Sequence, residues 1–202
     1  MFFLHTNQSV SPLALGGTVF GDQSDTAWLA VMQAAFDAGI NHFDTASGYG
    51  NGQSETLIGQ FFAAQPRRRD AIFLASKTTP QAFSAQAMLA EVEQSLARLQ
   101  TDVIDLYYIH WPRQGKDMRG WMEGLEIARQ QGKIRRIGVS NFSVAQMEQV
   151  ATVGKIDAHQ LCYNLVWRSA ERDIIPYCRA HAIAVTTYSS VAQGVLTGKF
   201  AR

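Results

Sequence analysis

Residues 40–50 read INHFDTASGYG, and this stretch decides how the rest of the chain is interpreted. An apolar run leads into a strand-like segment that carries Asp44, and Tyr49 follows five positions later between Gly48 and Gly50. Glycine permits backbone conformations that other residues avoid. The pattern therefore predicts a buried strand that ends on a carboxylate, followed by a tight turn that holds a phenol.

Segments resembling this strand recur along the chain. The six strand-like segments are residues 40–46, 71–77, 103–110, 134–140, 156–164 and 183–189. They are apolar without strict alternation, which is typical of parallel strands covered on both faces. Helical spacing fills the intervals, with Ser84 and Ser143 as predicted N-terminal caps. A short hairpin is predicted ahead of the repeat, around Ser11, Pro12 and residues 16–17.

Polar residues stand at the C-terminal ends of these segments. They are Asp44, Lys77, His110, Ser140, Gln160 and Tyr188, at intervals of 33, 33, 30, 20 and 28 residues. Right-handed crossovers place all six at one rim of a parallel sheet, and that rim carries the active site in β/α barrels. We therefore predict a single α/β domain over residues 1–202 with a parallel sheet and about six βα units.

Three of these residues, together with Tyr49, suit proton transfer to a carbonyl oxygen. An isolated phenol holds its proton at neutral pH, and a nearby ammonium favours the phenolate. Lys77 can supply that charge to Tyr49, Asp44 can orient Lys77, and His110 can donate a hydrogen bond to a substrate. Taken alone, Lys77 also fits a Schiff-base aldolase, and a lone His110 fits a satisfied core histidine.

Six motifs occur in an order that resembles the aldo-keto reductase family. They are FDTASGYGNGQSE, LASKT, IDLYYIHWP, QGKIRRIGVSNFS, QLCYNL and TTYSSVAQGVLTGKF, and LALGGTVFG (13–21) resembles the family's opening motif. The resemblance implies a fold of the (β/α)8 TIM-barrel type that transfers hydride from NADPH to an aldehyde or ketone, with NADH not excluded. It also implies that Tyr49 is the acid, tuned by Lys77 and Asp44, while His110 positions the carbonyl.

The same resemblance implies a set of cofactor-binding residues. Ser140, Asn141 and Gln160 would hold the nicotinamide carboxamide, and Tyr188 would stack on its ring. Gly17 and Thr18 are expected near the nicotinamide ribose, and the loop that passes the pyrophosphate contains Ser189, Val191, Gly194, Leu196 and Lys199. Asp44 is also expected to be a cofactor-binding residue. Many relatives have proline where this chain has Ser190, which leaves the pyrophosphate turn less rigid. Phe20, Trp111 and Trp167 could wall an apolar substrate pocket together with Tyr49 and His110; the alternative is that they pack under loops.

The overall composition limits the kinds of partner that this protein is expected to bind. A net charge of +1 and a pI of about 7.8 give no basic footprint for nucleic acid, and the basic run at 67–69 is predicted to be a solvated loop. No metal-ligand spacing and no membrane-length apolar run occur. Cys162 and Cys178 are predicted to be buried free thiols. A cytoplasmic protein is therefore expected, and the resemblance to the aldo-keto reductases implies a small carbonyl substrate.

The strand count leaves one question open. A closed barrel has eight strands, whereas six are recognised here, so the family's last two βα units are predicted to be absent. Open sheet edges favour pairing with other chains, and we expect self-association. A catalytically silent barrel that binds a cofactor or a partner is the alternative function.

Overall fold

The computed structural model describes residues 9–19 and 25–200. Within these ranges seven strands form one parallel sheet whose spatial order follows the chain. The strands are β1 (Ala14–Gly16), β2 (His42–Asp44), β3 (Phe73–Thr78), β4 (Leu106–Ile109), β5 (Ile137–Ser140), β6 (Ala158–Cys162) and β7 (Ala184–Tyr188). The predicted parallel α/β fold is confirmed.

Helices connect the strands and cover the outer face of the sheet. They are α1 (Asp25–Asp37), α2 (Gln53–Ala64), α3 (Arg67–Ala71), α4 (Ala85–Leu99), α5 (Arg119–Gln130), α6 (Val144–Ala151) and α7 (Ile174–Ala180). Ser84 and Ser143 cap α4 and α6 as predicted, and Ser143 forms a full capping box with Gln146. The basic run predicted as a solvated loop is instead part of α3, where Arg69 binds the buried Asp105 carboxylate.

The strand count differs from the prediction by one. Ala14–Gly16 pairs in parallel with His42–Asp44, so this segment is the first strand of the sheet rather than part of a hairpin. The preceding residues attach to the same region: Ser11 N donates to Asn41 Oδ1 at 2.7 Å, and Asn41 Nδ2 donates to Ser9 O at 2.8 Å. The described residues therefore contain seven strands where the sequence predicted six. The part of the predicted hairpin before Ser9 lies outside the described residues.

The sheet is curled towards closure. Gln160 on β6 donates to Asp44 on β2 at 2.9 Å, although four strand spacings separate these strands. Neighbouring strands lie about 4.8 Å apart, so a flat sheet would hold the two side chains roughly 19 Å apart. The hydrogen bond therefore requires strong curvature, and it places both side chains on the concave face.

Two apolar layers fix this geometry. The larger core lies between the sheet and the helices, and the smaller one fills the concave side with Phe73, Leu106 and Tyr108 among its members. Gly138 stands beside Tyr108 in the next strand, and a Cβ there would lie 2.3 Å from the Tyr108 ring. Side-chain layers of this kind make the inside of a barrel a packed core, which leaves the rim as the place for a ligand.

Candidate active site

A buried ion pair forms the centre of the polar rim. Lys77, at the end of β3, is only 1% exposed, and its Nζ donates to Asp44 Oδ1 at 2.5 Å and to Thr45 O at 2.7 Å. Asp44 ends β2, and its second oxygen accepts from Gln160 Nε2 at 2.9 Å. Charge-assisted bonds of this kind are short and directional, so Asp44 and Gln160 hold the ammonium in one place.

Tyr49 lies directly over this pair. The Lys77 Nζ is 5.0 Å from the centroid of the Tyr49 ring. Tyr49 begins a 3-10 turn (Tyr49–Gly52) in which Gly50, Asn51 and Gly52 all have positive φ angles of 56°, 52° and 90°. This left-handed run, which glycine tolerates readily, turns the chain sharply and brings the phenol back over the strand ends. The opening stretch thus forms the turn predicted for it.

His110 follows β4 and completes the cluster of four. Its ring lies 5.7 Å from that of Tyr49 in an edge-to-face arrangement. Burial, reinforced by the Lys77 ammonium, lowers the pKa of His110 to about 4, while Asp44 opposes the shift. The imidazole is therefore neutral at physiological pH, and a neutral imidazole can donate only one hydrogen bond. That single N–H suits polarisation of a carbonyl oxygen.

Amide and hydroxyl groups line the neighbouring part of the rim. Ser140 and Gln160 are direct register partners on β5 and β6. Asn141 has a positive φ of 64°, donates to Ser140 Oγ at 3.0 Å and to His110 O at 3.3 Å, and accepts from Tyr188 OH at 2.7 Å. Burial raises the pKa of the Tyr188 phenol, with smaller contributions from Cys162 and Tyr49. These four residues were predicted together, and the fold places them side by side.

The segment after β7 is a second irregular turn. Ser189 has a positive φ of 54° and its carbonyl accepts from Asn164 Nδ2 at 3.1 Å, while Gly194 has a φ of 95°. The Ser190 hydroxyl is hydrogen-bonded to the Thr187 hydroxyl at 3.2 Å. The other predicted members of this turn, Val191, Leu196 and Lys199, are exposed.

The remaining predicted residues lie at the margins of the cluster. Gly17 is buried, and its N–H donates to the Asp44 carbonyl at 2.8 Å, whereas Thr18 is exposed. Trp111 stacks on His110 with a centroid distance of 5.9 Å. Trp167 is 62% exposed, and its backbone N–H donates to Asn164. Phe20 lies outside the described residues.

The sequence analysis did not predict a polar cluster that lies just behind the rim. Glu55 at the start of α2 is fully buried, accepts from Ser76 Oγ at 2.5 Å and pairs with Arg98 Nε at 2.6 Å. Beside it, Thr45 Oγ1 and Ser54 Oγ are 2.7 Å apart. The signal was present in the sequence, because Glu55 shares a helix face with Ile58 and Phe62, and a carboxylate on an apolar face needs a partner.

The surroundings of the cluster are otherwise ordinary. Among the described residues no group of three or more His, Cys, Asp or Glu side chains could hold a metal ion, and no helix is long and apolar enough to cross a membrane. Cys178 is buried and Cys162 half-buried, and both are free. A cavity of about 430 Å³ is lined by Leu96, Thr101 and Lys133, none of which belongs to the rim cluster.

The curled parallel sheet and its polar C-terminal rim define a protein of the β/α-barrel class. The chain belongs to the aldo/keto reductase family, whose sequence profile matches residues 12–202. It is 39% identical to the aldo-keto reductase YhdN of Bacillus subtilis over 194 residues, which are 92% of this chain and 58% of that protein. It is 30% identical to an Escherichia coli protein named NADH-specific methylglyoxal reductase, covering 90% of this chain and 62% of that one.

Solved structures agree with this assignment. The glycerol dehydrogenase from Gluconobacter oxydans superposes with a TM-score of 0.89 at 33% identity, over 98% of this chain and 65% of that one. A Klebsiella pneumoniae aldo/keto reductase in complex with NADP and acetate gives 0.83 at 32% identity, over 95% and 67%. The chain thus spans about three fifths to two thirds of the length of these relatives.

Proposed function

We propose that this protein reduces an aldehyde or ketone with a nicotinamide cofactor, and that Tyr49 protonates the carbonyl oxygen. The observation that carries the proposal is the convergence of Asp44, Tyr49, Lys77 and His110 from three strand ends and one turn. A buried ammonium beside a phenol, with a neutral imidazole on the other side, can protonate and stabilise a carbonyl oxygen as it gains negative charge. Membership in the aldo/keto reductase family supports this use.

Each side chain has a separate task in this reaction. Tyr49 gives its proton to the developing alkoxide. The Lys77 ammonium, 5.0 Å from the phenol ring, stabilises the phenolate that remains. Asp44 accepts a hydrogen bond from Lys77 and holds its side chain at the rim. His110, which is neutral because burial lowers its pKa to about 4, donates its N–H to the carbonyl oxygen without adding a charge.

The groups beside the four residues fit a nicotinamide. Its carboxamide needs one donor and one acceptor, and Ser140, Asn141 and Gln160 offer hydroxyl and amide groups at one place on the rim. Tyr188 offers a ring for stacking. When bound, the nicotinamide supplies the hydride. Gly17 and Thr18 would lie near the ribose, and the turn after β7 would contact the pyrophosphate through Ser189, Val191, Gly194, Leu196 and Lys199.

The proposals on cofactor and substrate specificity rest on fewer observations. NADPH is proposed because the Klebsiella pneumoniae relative was crystallised with NADP, although another relative is named NADH-specific. Trp111 is proposed to wall the substrate pocket, since it stacks on His110. Trp167 and Phe20 are proposed for the same wall from the sequence alone, and a cytoplasmic location likewise stays a prediction.

The site is less suited to a reaction in which Lys77 acts as a nucleophile than to carbonyl reduction. A Schiff base requires a neutral amine, whereas Lys77 donates to a carboxylate and to a carbonyl that both stabilise its charged form. Borohydride trapping of a carbonyl substrate on Lys77 would contradict this reasoning. A silent binding module remains the alternative to the reductase.

One assay tests the proposed function directly. The protein is mixed with NADPH or NADH and a panel of aldehydes and ketones, and oxidation of the cofactor is followed by absorbance. We expect substrate-dependent oxidation that the Tyr49→Phe variant loses. Cofactor binding without any turnover across the panel would favour the silent binding module instead.

A further inference from the structure

The cluster of Glu55, Ser76 and Arg98 lies behind the rim on the outer side of the sheet, and the proposed mechanism does not use it. Glu55 is completely buried, and each of its two oxygens has one partner, Ser76 Oγ at 2.5 Å and Arg98 Nε at 2.6 Å. Arg98 comes from the last turn of α4 and is about one quarter exposed. A buried carboxylate is tolerated only when such partners are present.

The chain positions of these residues link the cluster to the acid and to its ammonium. Ser76 directly precedes Lys77 on β3, and Glu55 follows the Tyr49–Gly52 turn at the start of α2. The Ser76–Glu55 hydrogen bond therefore ties the end of the Tyr49 turn to the strand that carries Lys77. The hydrogen bond between Thr45 and Ser54 closes the same loop at its base.

Arg98 also contacts the turn itself. A Cβ at Gly52 would lie 2.6 Å from Arg98 Cδ, so the arginine stem packs against the left-handed residue that ends the turn. A Cβ at Gly59 would lie 2.4 Å from the Arg98 carbonyl oxygen, so this glycine lets α2 and α4 come close enough for the contact. Left-handed conformations at non-glycine residues such as Asn51 persist when the surrounding structure over-determines them.

We propose that Arg98 is a positioning residue for Tyr49: it holds Glu55, and through Glu55 it sets the place of the Tyr49 turn relative to Lys77. The proposal rests on the proposed role of Tyr49 as the acid. Arg98 can fix the orientation of Glu55 relative to the Tyr49–Gly52 turn. Its Nε binds one carboxylate oxygen of Glu55, while the aliphatic part of its side chain covers Gly52. Without Arg98 the buried Glu55 carboxylate loses its only cationic partner among the described residues, and it is then driven towards solvent together with the start of α2.

The test compares two arginines that each serve a buried carboxylate. Arg98→Met removes the partner of Glu55 and leaves Ser76 in place. Arg135→Met is the matched control, because Arg135 pairs with the buried Asp105, which keeps Arg69. Arg98→Lys restores the charge and part of the contact. All three are compared with the unmodified chain in aldehyde reduction, NADPH binding, thermal unfolding and hydrogen exchange.

Arg98→Met should lower kcat by roughly 10- to 100-fold, the scale expected when a reacting group is slightly misplaced. The Kd for NADPH should stay unchanged, Arg98→Lys should recover most of the activity, and Arg135→Met should lose stability without losing kcat. A kcat for Arg98→Met equal to that of the unmodified chain, or an equal loss in Arg135→Met, would overturn the proposal.

Hydrogen exchange separates this inference from the proposed function. Arg98→Met should speed amide exchange across residues 46–53, whereas Arg135→Met should leave that segment unchanged. Should the unmodified chain reduce no carbonyl, the proposed function fails, and unchanged exchange in Arg98→Met would then independently refute the positioning role. Exchange can be compared in Arg98→Lys as well if Arg98→Met does not fold.

Discussion

Replacing Lys77 with methionine should test whether the buried ion pair at the rim acts as a unit. The change keeps an unbranched side chain that is one atom shorter, and it removes the ammonium that binds Asp44 and Thr45 O. Removing one member of a buried pair typically destabilises a protein by about 3–5 kcal/mol. Asp44 keeps its hydrogen bond from Gln160 and its side chain is 12% exposed, so we expect a value near the lower limit, about 3 kcal/mol.

That loss should be visible in thermal unfolding and in activity. For a chain of 202 residues, about 3 kcal/mol corresponds to a fall in Tm of roughly 6–12 °C. Turnover should fall as well, because the phenolate of Tyr49 loses its neighbouring charge. Turnover in Lys77→Met equal to that of the unmodified chain would show that Lys77 does not act on the acid.

A double variant of Asp44 and Lys77 tests more strictly whether the two side chains act as a pair. Asp44→Asn alone leaves the Lys77 ammonium buried without its carboxylate, so it should also be destabilising. When Asp44→Asn and Lys77→Met are combined, no unpaired charge is left, and the double variant should be more stable than the sum of the single losses predicts, by about 2 kcal/mol. Free energies of unfolding from urea titrations of all four proteins give this coupling. Strict additivity would refute the view that the two side chains form a coupled pair.

Three further outcomes follow from the same structure. Tyr49→Phe keeps the ring and should lower carbonyl reduction by roughly 10²-fold or more with little change in cofactor binding; near-normal turnover would remove Tyr49 from the mechanism. Burial lowers the pKa of both His110 and His159 from 6.5 to about 4, so protonation favours the unfolded chain; each histidine contributes about 2 kcal/mol, and stability should be full at pH 8 and lower by about 4 kcal/mol at pH 5. Urea titrations at both pH values check this, and equal stabilities would contradict it. β1 and β7 form the edges of the described sheet, so light scattering on the 202-residue chain should detect self-association; a monomer at all concentrations would count against it.

Strand ends were the part of the fold that the sequence predicted best. Asp44, Lys77, Ser140 and Tyr188 each lie at or one residue from the end of a strand, because long apolar runs and their polar termini are local signals. β1 was missed since it has three residues, ends on Gly16 and is mostly exposed. A segment that short carries no periodicity, and only its pairing with β2 defines it as a strand.

Partners distant in the chain explain what was missed at the site. The Glu55–Arg98 pair joins residues 43 positions apart, and the Gln160–Asp44 hydrogen bond joins residues 116 positions apart. Gln160 was expected only to hold a carboxamide, whereas the structure shows that it also binds the carboxylate that orients Lys77. Such links depend on how α2 and α4 approach at Gly59 and on how far the sheet curls, and neither is encoded in a local pattern.

Two buried aspartates show how position along the strands divides stability from chemistry. Asp105 precedes β4, and its carboxylate binds Arg69, Arg135 and the N–H of Leu74 at the N-terminal side of the sheet. Asp44 ends β2 and binds Lys77 at the opposite rim. Both carboxylate oxygens of Asp105 are bound by these partners. By contrast, Lys77, the partner of Asp44, also lies beside the Tyr49 phenol at the rim. In β/α barrels the first face serves stability and the second serves catalysis, so Asp105 occupies the position of a stabilising residue, whereas Asp44 occupies the position that the proposed function requires of an active-site residue.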